Sequence, residues 1–178
     1  MKKIWIIAAV AVFSASFCKK SAAGQKTQWE SSLRDLDEAT TQYPNLKALL
    51  NEKATAAKAI YAEAEKASGE EQKAEKIAAA IAKLRENLGV VVEIKQKLKN
   101  IDSTIGKITK VKTSTDRANR ATAEIKAIRS EQARIESDFS ALKPENSEDL
   151  NKQAREIVGR IISLSGRADR ALKLVKGK

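Results

Sequence analysis

The apolar residues of this chain recur at alternating spacings of four and three, which places them on one face of an α-helix. The first such stripe runs from Trp29 to Ala64 and includes two polar members, Thr40 and Lys47. Pro44 interrupts it, and proline removes a backbone donor and disfavours a helical residue before it, so we expect a break there. Because the stripe continues past Pro44, one kinked helix or two nearly collinear helices are favoured over a reversal of the chain.

Three further stripes follow in the sequence. They predict a second helix over 70–112, a third over 116–142 and a fourth that begins at Ser147. The apolar stripe of the fourth helix runs from Leu150 to Val175. Within the second stripe, the step from Val91 to Ile94 is three residues where four would continue the alternation. Such a slip predicts a local change in the direction of the apolar face.

None of these helices can bury its apolar stripe alone, so they must pack against one another. The sequence therefore predicts an all-α fold, an antiparallel helical bundle or coiled coil of about four long helices, the first kinked or broken at Pro44. Many stripe positions are alanine, which buries little apolar area per turn. We therefore expect marginal stability, or a homo-oligomer that completes the core through the alanine-rich stripes.

The first eighteen residues differ from all the rest. Lys2 and Lys3 precede an apolar run of about ten residues, roughly half of what a helix needs to cross a bilayer. The run is followed by Ala15-Ser16-Phe17-Cys18, and Cys18 is the single cysteine of the chain. A positive end, a short apolar core and a small-residue exit are the parts of a cleaved export signal.

This segment resembles the signal of bacterial lipoproteins, with a relaxed, spirochaete-like lipobox in which Phe17 replaces the usual glycine or alanine. The resemblance covers residues 1–18. It implies a signal peptide over 1–17, a lipidated Cys18, attachment to a membrane of the cell envelope through that lipid, and an outer-membrane location of uncertain leaflet. Two alternatives stay open, ordinary cleavage after Ala23 and an uncleaved anchor or free thiol.

The remaining chain is organised simply. Residues 18–25 are small and polar and are expected to form a flexible tether after the lipidated cysteine. Residues 26–178 are expected to form a single helical bundle domain. About 160 residues suffice for one modest domain of this kind.

Composition excludes most catalytic chemistry. The chain has no histidine, and its one cysteine is assigned to lipid, which removes imidazole-dependent nucleophilic sites and the usual metal sites. No glycine-rich phosphate loop occurs. Neighbouring carboxylates such as Glu70 and Glu71 lie on polar helix faces and are interpreted as solvated. We expect no enzymatic activity, no cofactor and no metal.

The formal net charge is +11, and its distribution along the chain is uneven. Residues 94–134 contain 11 basic and 4 acidic side chains, and residues 153–178 contain 7 basic and 2 acidic ones. In an antiparallel bundle the end of the second helix, the start of the third and the end of the fourth meet. The plain interpretation is that these charges keep an exported helical protein soluble.

The functional alternative is a polyanion-binding surface at that shared end. Its eleven candidate residues are Lys95, Lys99, Lys107, Lys110, Lys112, Arg117, Arg120, Arg167, Arg170, Lys173 and Lys176. Sulfated glycans, lipid headgroup phosphates and acidic proteins are candidate partners. Nucleic acid is not expected, because exported proteins rarely meet it and no stacking aromatic residues lie among these cations.

These observations favour a lipid-anchored, non-catalytic envelope lipoprotein that is surface-exposed and binds host extracellular or plasma ligands, as helical adhesion lipoproteins do. The rival hypothesis is a periplasm-facing structural spacer or assembly partner. Pro44 matters to both. If the first helix runs through it, the basic end faces the anchoring membrane; if the chain reverses there, the basic end points away.

Overall fold

The computed structural model describes residues 21–177, and within that range the chain forms helices and no strand. The α-helices are α1 (Ala22–Gln42), α2 (Lys47–Glu65), α3 (Glu70–Ile108), α4 (Thr115–Ala141) and α5 (Ser147–Lys176). A short 3-10 helix (Pro44–Leu46) connects α1 to α2. These helices pack against one another, so the predicted all-α helical bundle is confirmed.

The chain reverses direction at Pro44. At the start of α1, the Ala22 amide donates a hydrogen bond to the Glu70 carboxylate over 3.1 Å. Further along, the Trp29 ring stacks on the Tyr61 ring with centroids 4.7 Å apart. Along one continuous helix these two rings would lie about 48 Å apart, at 1.5 Å per residue. The predicted break at Pro44 is confirmed, whereas the favoured kinked or nearly collinear arrangement is wrong, because α1 and α2 form a hairpin.

The backbone at Tyr43 explains the reversal. Its φ of −126° and ψ of 72° lie outside the helical region, while its amide still donates to the Ala39 carbonyl and closes the last turn of α1. Pro44 then occupies the first position of the 3-10 helix, where its missing N–H leaves no partner unsatisfied. The proline thus ends one helix and starts another in a new direction.

The core face of α1 differs from the face that the sequence pattern indicated. Ser32 and Ala39 are buried, whereas Leu33 and Thr40 are half-buried beside them. Lys47 is exposed. The apparent continuity of the stripe through Pro44 depended on the polar members Thr40 and Lys47, and neither belongs to the core.

Helix α3 is shared by two helical hairpins. Its first half packs against α1 and α2, and the antiparallel pairing with α2 is marked by the ion pair of Lys53 with Glu86 at 3.2 Å. Its second half packs against the α4–α5 hairpin. Contacts with α1 continue past the three-residue step from Val91 to Ile94, since Lys95 forms an ion pair with Glu38 and Lys99 lines a groove against α1. The predicted change of apolar face at this step stays a prediction.

The α4–α5 hairpin buries every apolar stripe residue predicted for α5, from Leu150 to Val175. Helix α4 is tied to α3 mainly through polar contacts with Asp102. The Gln132 side-chain amide donates to that carboxylate over 3.3 Å, and Arg129 lies 3.4 Å from it. Helix α5 is therefore the main apolar link between this hairpin and α3.

The two hairpins meet end to end beside the middle of α3. The Asn45 side-chain amide donates to the Leu142 carbonyl over 2.9 Å and to the Phe139 carbonyl over 3.4 Å. The fully buried Phe139 ring packs edge-to-face on Tyr43, with centroids 4.8 Å apart. These contacts join the α1–α2 turn to the end of α4.

The ends of the elements differ slightly from the sequence prediction. Helix α1 begins at Ala22, inside the stretch expected to be a tether, and the Ser21 hydroxyl caps it by accepting from the Gly24 amide. Helix α3 ends at Ile108, four residues before the predicted end. The predicted signal peptide and Cys18 lie outside the described residues.

The molecule is elongated along α3. A helix of 39 residues is about 58 Å long at 1.5 Å per residue. The start of α1 lies beside the start of α3, and the end of α5 lies beyond the other end of α3. Residues 21 and 177 are therefore separated by the length of the bundle.

Candidate functional site

The end of the bundle remote from residue 21 is built by three helix termini. The last turn of α3, the first turns of α4 and the last turns of α5 converge on a small apolar cluster of Ile108, Ala121, Ala171 and Val175. Two of these four residues are alanine, so the cluster is small and the three helix ends lie close together. The polar side chains around the cluster are therefore concentrated on a small surface.

Nine of the eleven predicted cations lie at this end. We call them the basic end: Lys107, Lys110, Lys112, Arg117, Arg120, Arg167, Arg170, Lys173 and Lys176. Lys95 and Lys99 lie elsewhere. Lys95 forms an ion pair with Glu38 of α1, and Lys99 lines a groove between α1 and α3. By helix rise, Lys95 is about 20 Å from the end of α3.

Cations elsewhere in the bundle are often paired with carboxylates. Besides Lys95 with Glu38, the Lys83 ammonium lies 2.8 Å from Glu86, and Lys53 shares the same carboxylate. The pKa of Glu86 is lowered chiefly by the hydrogen bond from Lys83. The surface charge of this half of the bundle is nearly balanced, since residues 21–93 carry 10 basic and 12 acidic side chains.

The basic end contrasts with that pattern. Of its nine cations, Arg167 alone is ion-paired within residues 21–177, through Nε at 2.8 Å from Oε1 of Glu124. This hydrogen bond raises the pKa of Arg167 and lowers that of Glu124. The stretches 103–123 and 168–177 that build the end contain eight basic side chains and only two acidic ones, Asp116 and Asp169.

The contact between α4 and α5 shows where the change from paired to unpaired cations occurs. Toward the middle of the bundle, Arg160 bonds to both Glu131 and Asp138. One heptad closer to the end, Arg167 bonds to Glu124. Seven residues before Glu124, the corresponding position of α4 is Arg117, so the column of acidic residues on α4 ends in an arginine. Its guanidinium lies against Gly177, where an added Cβ would be 2.6 Å from Nη1.

These ion pairs between α4 and α5 could have been predicted from the sequence. Glu124, Glu131 and Asp138 recur every seven residues, as do Arg160 and Arg167. Antiparallel helices with a shared heptad bring such columns together. The ion pair of Lys95 had no comparable signal, because Glu38 reaches it only through the reversal at Pro44.

Other chemistry is sparse in the described part of the chain. Residues 21–177 contain no group of three or more Asp, Glu, Cys or His side chains arranged to hold a metal ion. No helix in that range has the length and apolar character needed to cross a membrane. The predicted lipid site at Cys18 lies outside this range and stays a prediction.

No protein-family model, no curated protein and no solved structure matches this chain.

Proposed function

We propose that this protein is a lipid-anchored, non-catalytic lipoprotein of the bacterial envelope whose basic end binds a polyanionic ligand. The observation that carries the proposal is the gathering of eight cations without a carboxylate partner in residues 21–177 on one end of the bundle. Elsewhere, neighbouring acids compensate many of the cations. An uncompensated cluster of like charges attracts polyanions and concentrates them at its surface.

The proposed anchor and the proposed binding surface lie at opposite ends. Lipidation at Cys18 is inferred from the lipoprotein-like residues 1–18, and three residues later the described chain begins beside the start of α3. The basic end is about 58 Å away along α3. Since charges in physiological salt are screened beyond about 8 Å, the basic end would not sense the anchoring membrane of its own molecule.

This orientation favours a partner located away from the anchoring bilayer. For a molecule on the cell surface, that partner would be a host extracellular or plasma component with clustered negative charge. Two or more acyl chains would hold the protein stably while its remote end binds. The proposed role is therefore adhesion or capture at a distance from the membrane.

A second candidate is a structural spacer facing the periplasm. The single continuous α3 and the separation of residues 21 and 177 support it, because both suit a protein that spans a gap. Protease treatment of intact cells distinguishes the two functions. Loss of the protein supports surface display, whereas protection supports the periplasmic spacer and contradicts adhesion.

Binding is tested with immobilised heparin and the purified protein at increasing salt. The variant K110E/K112E/R170E reverses three cations of the basic end. The matched control K47E/K58E/R85E makes the same change in net charge at exposed positions outside the ion pairs of residues 21–177.

We expect the wild-type protein to bind and to be released by salt. The basic-end variant should lose at least about tenfold in affinity, and the control should stay within about threefold, because the local field rather than the net charge holds the ligand. Equal losses in both variants, or none in the first, would contradict the proposal.

A further inference from the structure

Four arginines line the contact between α4 and α5 at the basic end. We call them the arginine seam: Arg117 and Arg120 on α4, and Arg167 and Arg170 on α5. Arg117, Arg120 and Glu124 are spaced i, i+3 and i+7 and therefore share one face of α4. That face looks toward α5, since Glu124 accepts a hydrogen bond from Arg167 over 2.8 Å.

Contacts place three of the four guanidinium groups along a short length of the seam, and Arg120 lies between Arg117 and Glu124 on the same face of α4. The pKa of Glu124 is lowered chiefly by the hydrogen bond from Arg167, with smaller contributions from the charges of Arg167 and Arg170. The Arg170 guanidinium lies beside Gly166, where an added Cβ would be 3.7 Å from Nη1. The Arg117 guanidinium lies at the other end, against Gly177. Seven residues separate Arg117 from Glu124, so the seam is about 10 Å long. It holds four guanidinium groups and one carboxylate.

The arginines are segregated from the lysines of the basic end. Lys107 belongs to α3, and Lys110 and Lys112 belong to the loop before α4. Lys173 and Lys176 occupy exposed positions on the outer faces of α5. The basic end thus has a seam of guanidinium groups bordered by ammonium groups.

The two kinds of cation differ in chemistry. A guanidinium is planar, weakly hydrated and presents paired donors to two oxygens at once, whereas an ammonium is a compact, strongly hydrated point charge. A sulfate ester has three terminal oxygens and an in-chain phosphate has two, and both groups can accept paired hydrogen bonds from guanidinium groups. Three members of the seam, Arg117, Arg120 and Arg170, have no ion-pair partner among residues 21–177 and keep these donors available.

We infer that the arginine seam recognises closely spaced sulfate or phosphate groups on a linear polyanion through paired hydrogen bonds, while the surrounding lysines supply general attraction. This inference rests on the proposed function, because it assigns the ligand chemistry of the same basic end. It goes further in one respect. Charge alone does not suffice, and the geometry of the arginine side chain determines the affinity.

The test keeps the charge and changes the geometry. In the variant R117K/R120K/R170K every positive charge is retained, and Arg167 is left in place because it holds Glu124. The matched control K107R/K110R/K112R changes three lysines of the same end in the opposite direction. Thermal unfolding by circular dichroism verifies that both variants fold.

Affinity is measured by calorimetry for two probes, a heparin hexasaccharide and inorganic polyphosphate of similar charge. We expect the arginine-to-lysine variant to lose about tenfold for the better of the two probes, and the control to lose nothing. The probe that binds the wild type more tightly identifies sulfate or phosphate as the source of the oxyanion.

Wild-type affinity retained in R117K/R120K/R170K would overturn the inference while leaving the proposed function intact. Absence of binding by the wild type to both probes would refute the proposed function itself, and this inference with it.

Discussion

Phe139 offers the sharpest test of how the two hairpins are joined. Its ring is fully buried where the end of α4 meets the α1–α2 turn, and it packs edge-to-face on Tyr43. Replacing it by alanine removes most of the ring's buried apolar area and leaves a cavity between elements that are also constrained by α3. Truncations of this kind cost about 3–5 kcal/mol.

For a domain of this size, each kcal/mol lowers the melting temperature by about 2–4 °C, so F139A should melt roughly 6–20 °C below the wild type. The loss in unfolding free energy is measured by urea titration with two signals. Far-ultraviolet circular dichroism reports on all helices. In the protein without residues 1–17, which contain the other tryptophan, Trp5, fluorescence reports on Trp29, which lies in α1 against Tyr61. The neighbouring S140A is the control, since Ser140 is exposed and its variant should stay within about 0.5 kcal/mol.

The two signals also test the coupling between the hairpins. If the Phe139 contact joins them, the two signals should coincide in the wild type and separate in F139A, with helicity lost before the Trp29 signal changes. A loss in unfolding free energy below about 1.5 kcal/mol would refute the packing argument, because removing a fully buried ring costs about 3–5 kcal/mol. Coincident transitions in F139A would show that α3 alone couples the hairpins.

Two smaller predictions concern hydrogen bonds. The Asn45 side chain should stabilise the fold through its N–H donors alone, because its buried Oδ1 has no partner among the described atoms. N45A should therefore lower the free energy of unfolding in urea by about 1 kcal/mol. N45D should lower it clearly more, since a carboxylate would face the Leu142 carbonyl. N45D as stable as N45A would contradict this geometry. The pKa of Glu124 is lowered by the hydrogen bond from Arg167, so its stabilisation is present above the unfolded pKa near 4.3 and is lost as pH falls through the folded pKa. Because the pair is about one-third exposed, the stability difference between wild type and E124Q should be below about 1 kcal/mol. This difference should shrink as pH falls from about 6 through the folded pKa, and a constant difference would exclude this linkage.

The amphipathic pattern predicted the helices well and the path of the chain poorly. Every stripe position of α5 is buried. The reversal at Pro44 was not predicted, because a hydrophobic stripe indicates which face of a helix is buried. It does not indicate the direction of the following helix. The stripe looked continuous through Pro44 only because Thr40 and Lys47 were counted in it, and neither residue belongs to the core.

The candidate site, too, was predicted only in part. The concentration of cations in two segments is visible in the sequence, and the antiparallel topology of α3, α4 and α5 was sufficient to place nine of them together. The pairing of Lys95 with Glu38 depends on α1 lying beside α3, which follows only from the reversal. Charge can therefore be counted from sequence, whereas its compensation by partners requires the tertiary structure.

The hairpin at Pro44 also determines how the molecule would carry tension. Residue 21 lies at one end of the bundle and residue 177 at the other, so a pull between them acts parallel to the helix axes. Helix α1 would have to slide along α2 and α3, and α5 along α3 and α4, which loads whole rows of packed side chains at once. With collinear α1 and α2, residue 21 would lie at the same end as residue 177, and the same pull would peel one terminal turn from another. Reversal at a single proline thus changes the load on the helices from peeling to shear.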